Sequence, residues 1–178
     1  MHYHRLCFFC FTCVLIVSCA SVPPASSEGA PQGAVPVNPQ SIEASVAEIN
    51  RAMQAKDMDA LRQHLSAQGV SFVLKWPGGA DPSRLYTMEV AVDVLRGAVV
   101  QGSASCIGYN PNWGETTALA VFSDLNLDWH LVGGSDGGFV FVGFVLRPLD
   151  GVWSITSILR VDPVSHVREI VDLEKCPE

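Results

Sequence analysis

Residues 139–161 read FVFVGFVLRPLDGVWSITSILRV. Two apolar, β-branched and aromatic runs flank Asp150-Gly151, a dipeptide that tolerates the two positive φ angles of a tight hairpin turn. They predict strands over Phe139–Arg147 and Val152–Val161. The first strand is apolar on both faces, with Phe139, Phe141 and Val145 on one and Val140, Val142, Phe144 and Leu146 on the other, so it needs cover from two sides. Helices can supply one layer. A second subunit is expected to supply the other, which makes a homodimer an expectation of the sequence.

Moving outward, period-2 patterning predicts two more strands, Thr116–Ser123 and Leu127–Val132, the latter joined to Phe139 by a hairpin at Gly133-Gly-Ser-Asp-Gly-Gly138. That glycine-rich stretch leads into a strand instead of a helix N-terminus, so it lacks the converging amides of a phosphate loop. Toward the N-terminus, Ile42, Val46, Ile49 and Met53 recur at helical spacing from Ser41 onward, with Glu43, Glu48, Asn50 and Arg51 on the other face. Asp57 is a plausible N-cap for a short helix carrying Met58, Leu61 and Leu65 and closed near Gly69. Val70, Phe72, Leu74 and Trp76 then line one face of a strand ended by Pro77-Gly78-Gly79. Thr87 can cap a third helix with Met88, Ala91, Val92 and Leu95 on one face and Gly97 past its end.

The order helix, short helix, strand, helix and four-stranded meander resembles the nuclear-transport-factor-like, or ketosteroid-isomerase-like, superfamily. The matching residues are INRAMQAKDMDALRQHL at 49–65, before the first strand, and DGVWSI at 150–155 in the last hairpin. The resemblance implies a cone-shaped α+β domain, N-terminal helices packed on a curved, mostly antiparallel sheet, with a pocket where the sheet curls.

The N-terminus reads differently. Arg5 leads into an apolar run from Leu6 to Val17, about 12 residues, within the range of a signal peptide and short of the roughly 20 needed to span a bilayer. Ile16-Val17-Ser18-Cys19 then resembles the bacterial lipobox. The expectation is a signal peptide over residues 1–18, a lipidated Cys19 opening a flexible linker to residue 40, and a single domain over residues 41–178. The linker is rich in Pro and nearly uncharged. It reaches about 25 Å as a flexible coil and about 60 Å fully extended. Ala20 follows the lipidated Cys where an Asp would favour inner-membrane retention, so the expected place is the outer membrane, facing the periplasm, with the bilayer held through the acyl chains.

Cys7, Cys10 and Cys13 have cluster-loop spacing, but they lie in the apolar run, and the next cysteine, Cys19, comes too late and without a following Pro, so no metal is expected there. Without residues 1–18 the chain carries 10 Lys and Arg against 18 Asp and Glu, which gives nucleic acid no electrostatic footprint. Cys106 and Cys176 are then the only cysteines besides the lipidated one. An even pair exported to an oxidising compartment is expected to join and to fasten the tail.

No catalytic pattern of the superfamily's enzymes matches residue by residue, so no catalytic residue and no cofactor is assigned. Asp124, Asp128 and His130 form the best polar cluster. They read as a solvated face, because Leu127, Trp129 and Leu131 alternate with Asp128 and His130. Trp76, Tyr86, Trp113 and Trp129, with His130, are the candidate pocket residues. The functional expectation is a membrane-tethered, non-catalytic envelope protein binding a small apolar ligand or another envelope protein. The alternative is a hydrolase or isomerase with His130 or Asp93 as general base.

Overall fold

The structure is a computed structural model that describes residues 40–76, 84–96, 104–135, 140–161, 164–173 and 175–178. The expected signal segment, Cys19 and the linker up to residue 39 lie outside these residues, as do the loop at 77–83, Gly97, residues 136–138 of the glycine-rich stretch and Phe139, the expected start of the next strand.

Three helices precede the meander. α1 (Ile42–Ala55) starts where the Ser41 hydroxyl accepts from the Ala44 amide at 3.1 Å and stops at Lys56, whose φ of 55° is left-handed. Its stripe Val46, Ile49, Ala52 and Met53 is buried. α2 (Met58–Gln63) is capped by Asp57, whose carboxylate accepts from Ala60 N at 2.9 Å. It ends at His64 and not at Gly69; Gly69, at φ 113°, instead turns the chain into β1 (Val70–Trp76). β2 (Leu85–Tyr86) pairs with the start of β1, and α3 (Met88–Arg96) follows Thr87.

β3 (Ser105–Gly114), β4 (Thr117–Leu125), β5 (Val140–Leu149) and β6 (Val152–Val161) form the antiparallel meander. The Asp150-Gly151 turn has φ of 51° and 82°, as its dipeptide requires. The described sheet has the order β2-β1-β6-β5-β4-β3, and its one parallel pair, β1 with β6, returns the N-terminal strand beside the last one. Register shifts in β1–β6, β3–β4, β4–β5 and β5–β6 bend the strands.

Two elements differ from the sequence reading. The strand expected over Leu127–Val132 is a 3₁₀ turn at Trp129–Val132. Leu127 and Trp129 are buried but Leu131 is 50% exposed, and Val132 takes its place in the core, so the apolar spacing is i to i+3 and not i to i+2. The meander's fourth strand is instead β3, which carries Cys106; its SCIGYNPNWG, rich in Gly, Asn and Pro, reads locally as a loop. As the sheet's edge strand it needs pairing on only one side, which makes Pro111 tolerable.

The sheet separates two clusters. On one face α1 to α3 pack on Phe72, Phe122, Phe144, Leu146, Ile155 and Ile158. On the other, Val73, Leu119, Val121, Val145, Leu159 and Val161 meet Val167 and Val171. The second side of β5 is therefore covered by the chain's own α4 (Val164–Ile170), an element the sequence reading left in the tail. Cys106 and Cys176 are joined by a disulfide, with Cα atoms 5.9 Å apart.

Candidate functional site

The inner face of the sheet is where the pocket was expected, and protein fills it. Trp129, 1% exposed, meets Phe72 edge to face at 6.3 Å, and Phe72 meets Tyr86 the same way at 5.4 Å. The Tyr86 hydroxyl donates to Val132 O at 3.1 Å, tying β2 to the 3₁₀ turn. Gly134 backs the indole so closely that a Cβ there would lie 2.8 Å from Trp129 Cβ. Of the candidate pocket residues, Tyr86 and Trp129 are thus brought together as packing. Trp113 lies on the opposite face with the outer cluster. His130 is exposed, and Trp76 ends β1 with its side chain outside the described residues. Asp128 donates its amide to Val94 O at 3.3 Å, and no group of three His, Cys, Asp or Glu suited to a metal occurs among the described residues.

Sequence reasoning missed the buried polar atoms. Ser45 Oγ, Tyr109 Oη, Trp129 Nε1 and His64 Nδ1 are buried without a hydrogen-bond partner. Burial foremost, and then Glu43, pushes the Tyr109 hydroxyl's pKa up, which keeps it a neutral phenol. His64 closes α2, and its backbone carbonyl accepts from Ile155 N at 2.6 Å, anchoring the helix to β6. Its Nε2 stands 3.7 Å from a Glu48 carboxylate oxygen that also accepts from Gln40 at 2.7 Å. Burial lowers the His64 pKa and Glu48 works against it, so the ring is neutral near pH 7. The pair lines a 420 Å³ groove with Arg51, Asp57 and Gln63. It is an acid and histidine combination, yet the unpartnered Nδ1 is buried away from that groove's solvent. The bases considered from sequence sit outside: Asp93 has a side chain 60% exposed and faces Arg96 at 3.9 Å.

The described surface has larger depressions of mixed lining, one of them, 440 Å³, walled by Leu65, Ala67, Met88, Leu149 and Val152 together with Arg62 and Asp150. Another, 690 Å³, is lined by Asn110, Asn112, Arg168, Glu169, Asp172 and Lys175 among others. A smaller crevice is different. Ala52, Met53, Met58, Leu61 and Leu95 enclose 150 Å³ where the ends of α1 and α3 meet the start of α2, with Lys56 and Arg96 as its polar members. A volume of about 150 Å³ walled by apolar side chains holds a benzene-sized molecule. Two thioethers make the wall adaptable. The two cations lie at the C-terminal ends of α1 and α3, whose carbonyls carry partial negative charge, and Arg96 also has Asp93 3.9 Å away, so part of their charge is offset. No sequence signal marks the crevice, because each of its residues also reads as an ordinary core position of an amphipathic helix.

No protein-family model matches the chain, and no curated protein matches it. Solved structures do. An NTF2-like protein of unknown function from Cytophaga hutchinsonii is 14% identical, with 66% of this chain and 86% of that one covered and a TM-score of 0.42. A DUF4783 family protein from Bacteroides uniformis is 12% identical over 66% of this chain and 97% of that one, with a TM-score of 0.45. A putative ketosteroid isomerase from Shewanella frigidimarina is 18% identical over 68% and 95%, with a TM-score of 0.38. The similarity is one of backbone course, and no activity passes to this chain with it.

Proposed function

We propose that this chain is a lipid-anchored protein of the cell envelope whose α+β domain binds a small, uncharged apolar ligand and does no chemistry on it. The observation that carries the reading is the 150 Å³ crevice of Ala52, Met53, Met58, Leu61 and Leu95, an apolar concavity without an ionisable group buried in its wall. An enzyme cavity needs an inward acid or base, whereas the ionisable members of this crevice, Lys56 and Arg96, are exposed residues. The anchor rests on the lipobox at Ile16–Cys19, and the linker after it lets the domain stand off the outer membrane.

Two measurements test this. Pro36–Glu178 forms a compact unit that holds the whole described core and the disulfide. Native mass spectrometry of that unit should show a co-purified apolar molecule, or uptake of added benzene or toluene. Met58→Trp, at the half-buried edge of the crevice, should abolish it; uptake undiminished by that change would place the ligand elsewhere, and no uptake of any apolar molecule would end the binding reading. For the anchor, cells given labelled palmitate should label the full chain and not its Cys19→Ala variant. Equal labelling of both would refute lipidation at Cys19.

A further inference from the structure

The last residues run as a strap around the edge of the sheet. α4 lays Val167, fully buried, and Val171 on the outer cluster. The chain then pairs with β3 at one point, where Tyr109 N donates to Asp172 O at 3.2 Å and Asp172 N donates back at 3.3 Å. Asn110 adds a side-chain bond to Ile170 O at 3.0 Å. Beyond the edge, Cys176 packs against the inner cluster and joins Cys106. The strap crosses β3 at Gly108, where a Cβ would collide with Val171.

We infer that the Cys106–Cys176 bond is a redox-operated latch, and that its reduction releases residues 164–176 while the helix-side core stays folded. α4 has 7 residues, too few to persist by helical propensity alone. The bridging pair, the Asn110 bond and the burial of Val167 and Val171 hold the strap's middle, and the disulfide is the covalent tie that closes its far end. The larger inner cluster, under α1 to α3, draws on the strap only through the Cys176 end. Both cysteines are half-buried, so a thiol reagent can reach the sulfurs. In the step an external dithiol attacks one sulfur, the Cys106–Cys176 bond breaks, and the mixed disulfide is resolved by the reagent's second thiol. The chain gains two thiols, with two electrons and two protons from the reagent, which leaves as its own disulfide. Release uncovers Leu119, Val121, Val145, Leu159 and Val161 and the inner half of the β3 edge. The outer half needs no strap, since Pro111 has no N–H to offer a pairing strand.

The test is hydrogen exchange on the full chain with and without dithiothreitol. Reduction should speed exchange at residues 164–173 and at Tyr109 at least tenfold, leave α1 and the β4–β5 amides unchanged, and reverse on reoxidation. Limited proteolysis should cut the reduced chain after residue 163 first. Unchanged protection of the strap would show that it holds itself, and loss of protection throughout would show a staple for the whole fold; either overturns the latch. If the double variant Cys106→Ser, Cys176→Ser does not fold, the wild-type chain reduced after folding still decides between these outcomes.

Discussion

The two faces of the sheet are built to different standards. The inner face is covered by three helices and a 3₁₀ turn, each held by a capping side chain or by a hydrogen bond to the sheet, and its cluster includes Trp129, Phe122 and Phe144 at 1% exposure or less. The outer face is smaller, aliphatic, and covered by one short helix continued by a disulfide-bonded tail. An inner contact is therefore supported by many neighbours, whereas the outer layer stands or falls with a single segment. Local opening should concentrate there, because stability follows the density of buried apolar contacts.

The largest effect should come from breaking the inner face at its plug. Trp129→Ala should lower the unfolding free energy by about 3–5 kcal/mol, measured by urea denaturation, because the site is enclosed and cannot collapse around the loss. A change under about 1 kcal/mol would mean that Trp129 is not the filling of this face.

Next comes the outer face. Removing the bond that closes a 70-residue separation should cost about 2–4 kcal/mol, with roughly 4 as the ceiling from chain entropy. The denaturation midpoint should fall on adding reductant, and the Cys106→Ser, Cys176→Ser variant should reproduce that fall without it. A midpoint indifferent to reductant, with two free thiols titrated, would show that the strap needs no bond.

Gly108→Ala sharpens the comparison by pressing on the outer face alone, through Val171. Its Cβ would sit 2.3 Å from Val171 Cγ2, so the strap must shift, at an overpacking cost of about 1–3 kcal/mol. The loss should appear as faster exchange at Tyr109 and Asp172 and leave α1 unaffected.

The smallest effect is a pH dependence of the inner side. His64 has a pKa below its ordinary 6.5 in the folded chain, so the unfolded chain binds the extra proton. Stability from the neutral ring is complete above pH 6.5 and is lost as the pH falls from 6.5 toward the lowered folded value. His64→Gln should flatten the stability profile between pH 7 and 5. An equally steep profile in that variant would move the dependence to other groups.

Local patterns that agree with their own surroundings were readable. α1, α2, α3, β1 and the β5–β6 hairpin follow from caps at Asp57 and Thr87, from helical spacing beginning near Ser41 and period-2 spacing, and from Asp150-Gly151, all of which act within a few residues. β3 was not readable, because its residues are poor strand formers and its pairing is supplied by β4 and by Asn50, whose side chain accepts from Cys106 N at 3.0 Å across 56 residues. The 3₁₀ turn was misread because Leu127, Trp129 and Leu131 alternate in sequence, and only the burial of Val132 in place of Leu131 breaks the alternation. The aromatic pocket was misplaced for a related reason: Tyr86, Trp113 and Trp129 are equally apolar in sequence, and which side of the sheet each meets depends on register.

What the sequence by itself determined is the α+β class, the starts of the first three helices, and the tight hairpin, since those depend on backbone preferences and short-range periodicity. The tertiary structure decided that the inner face is filled by Trp129, that an apolar crevice opens between helix ends, and that the second side of β5 is covered by α4. Those outcomes depend on which surfaces meet over tens of residues, where burial is set by shape and register and no local pattern records it.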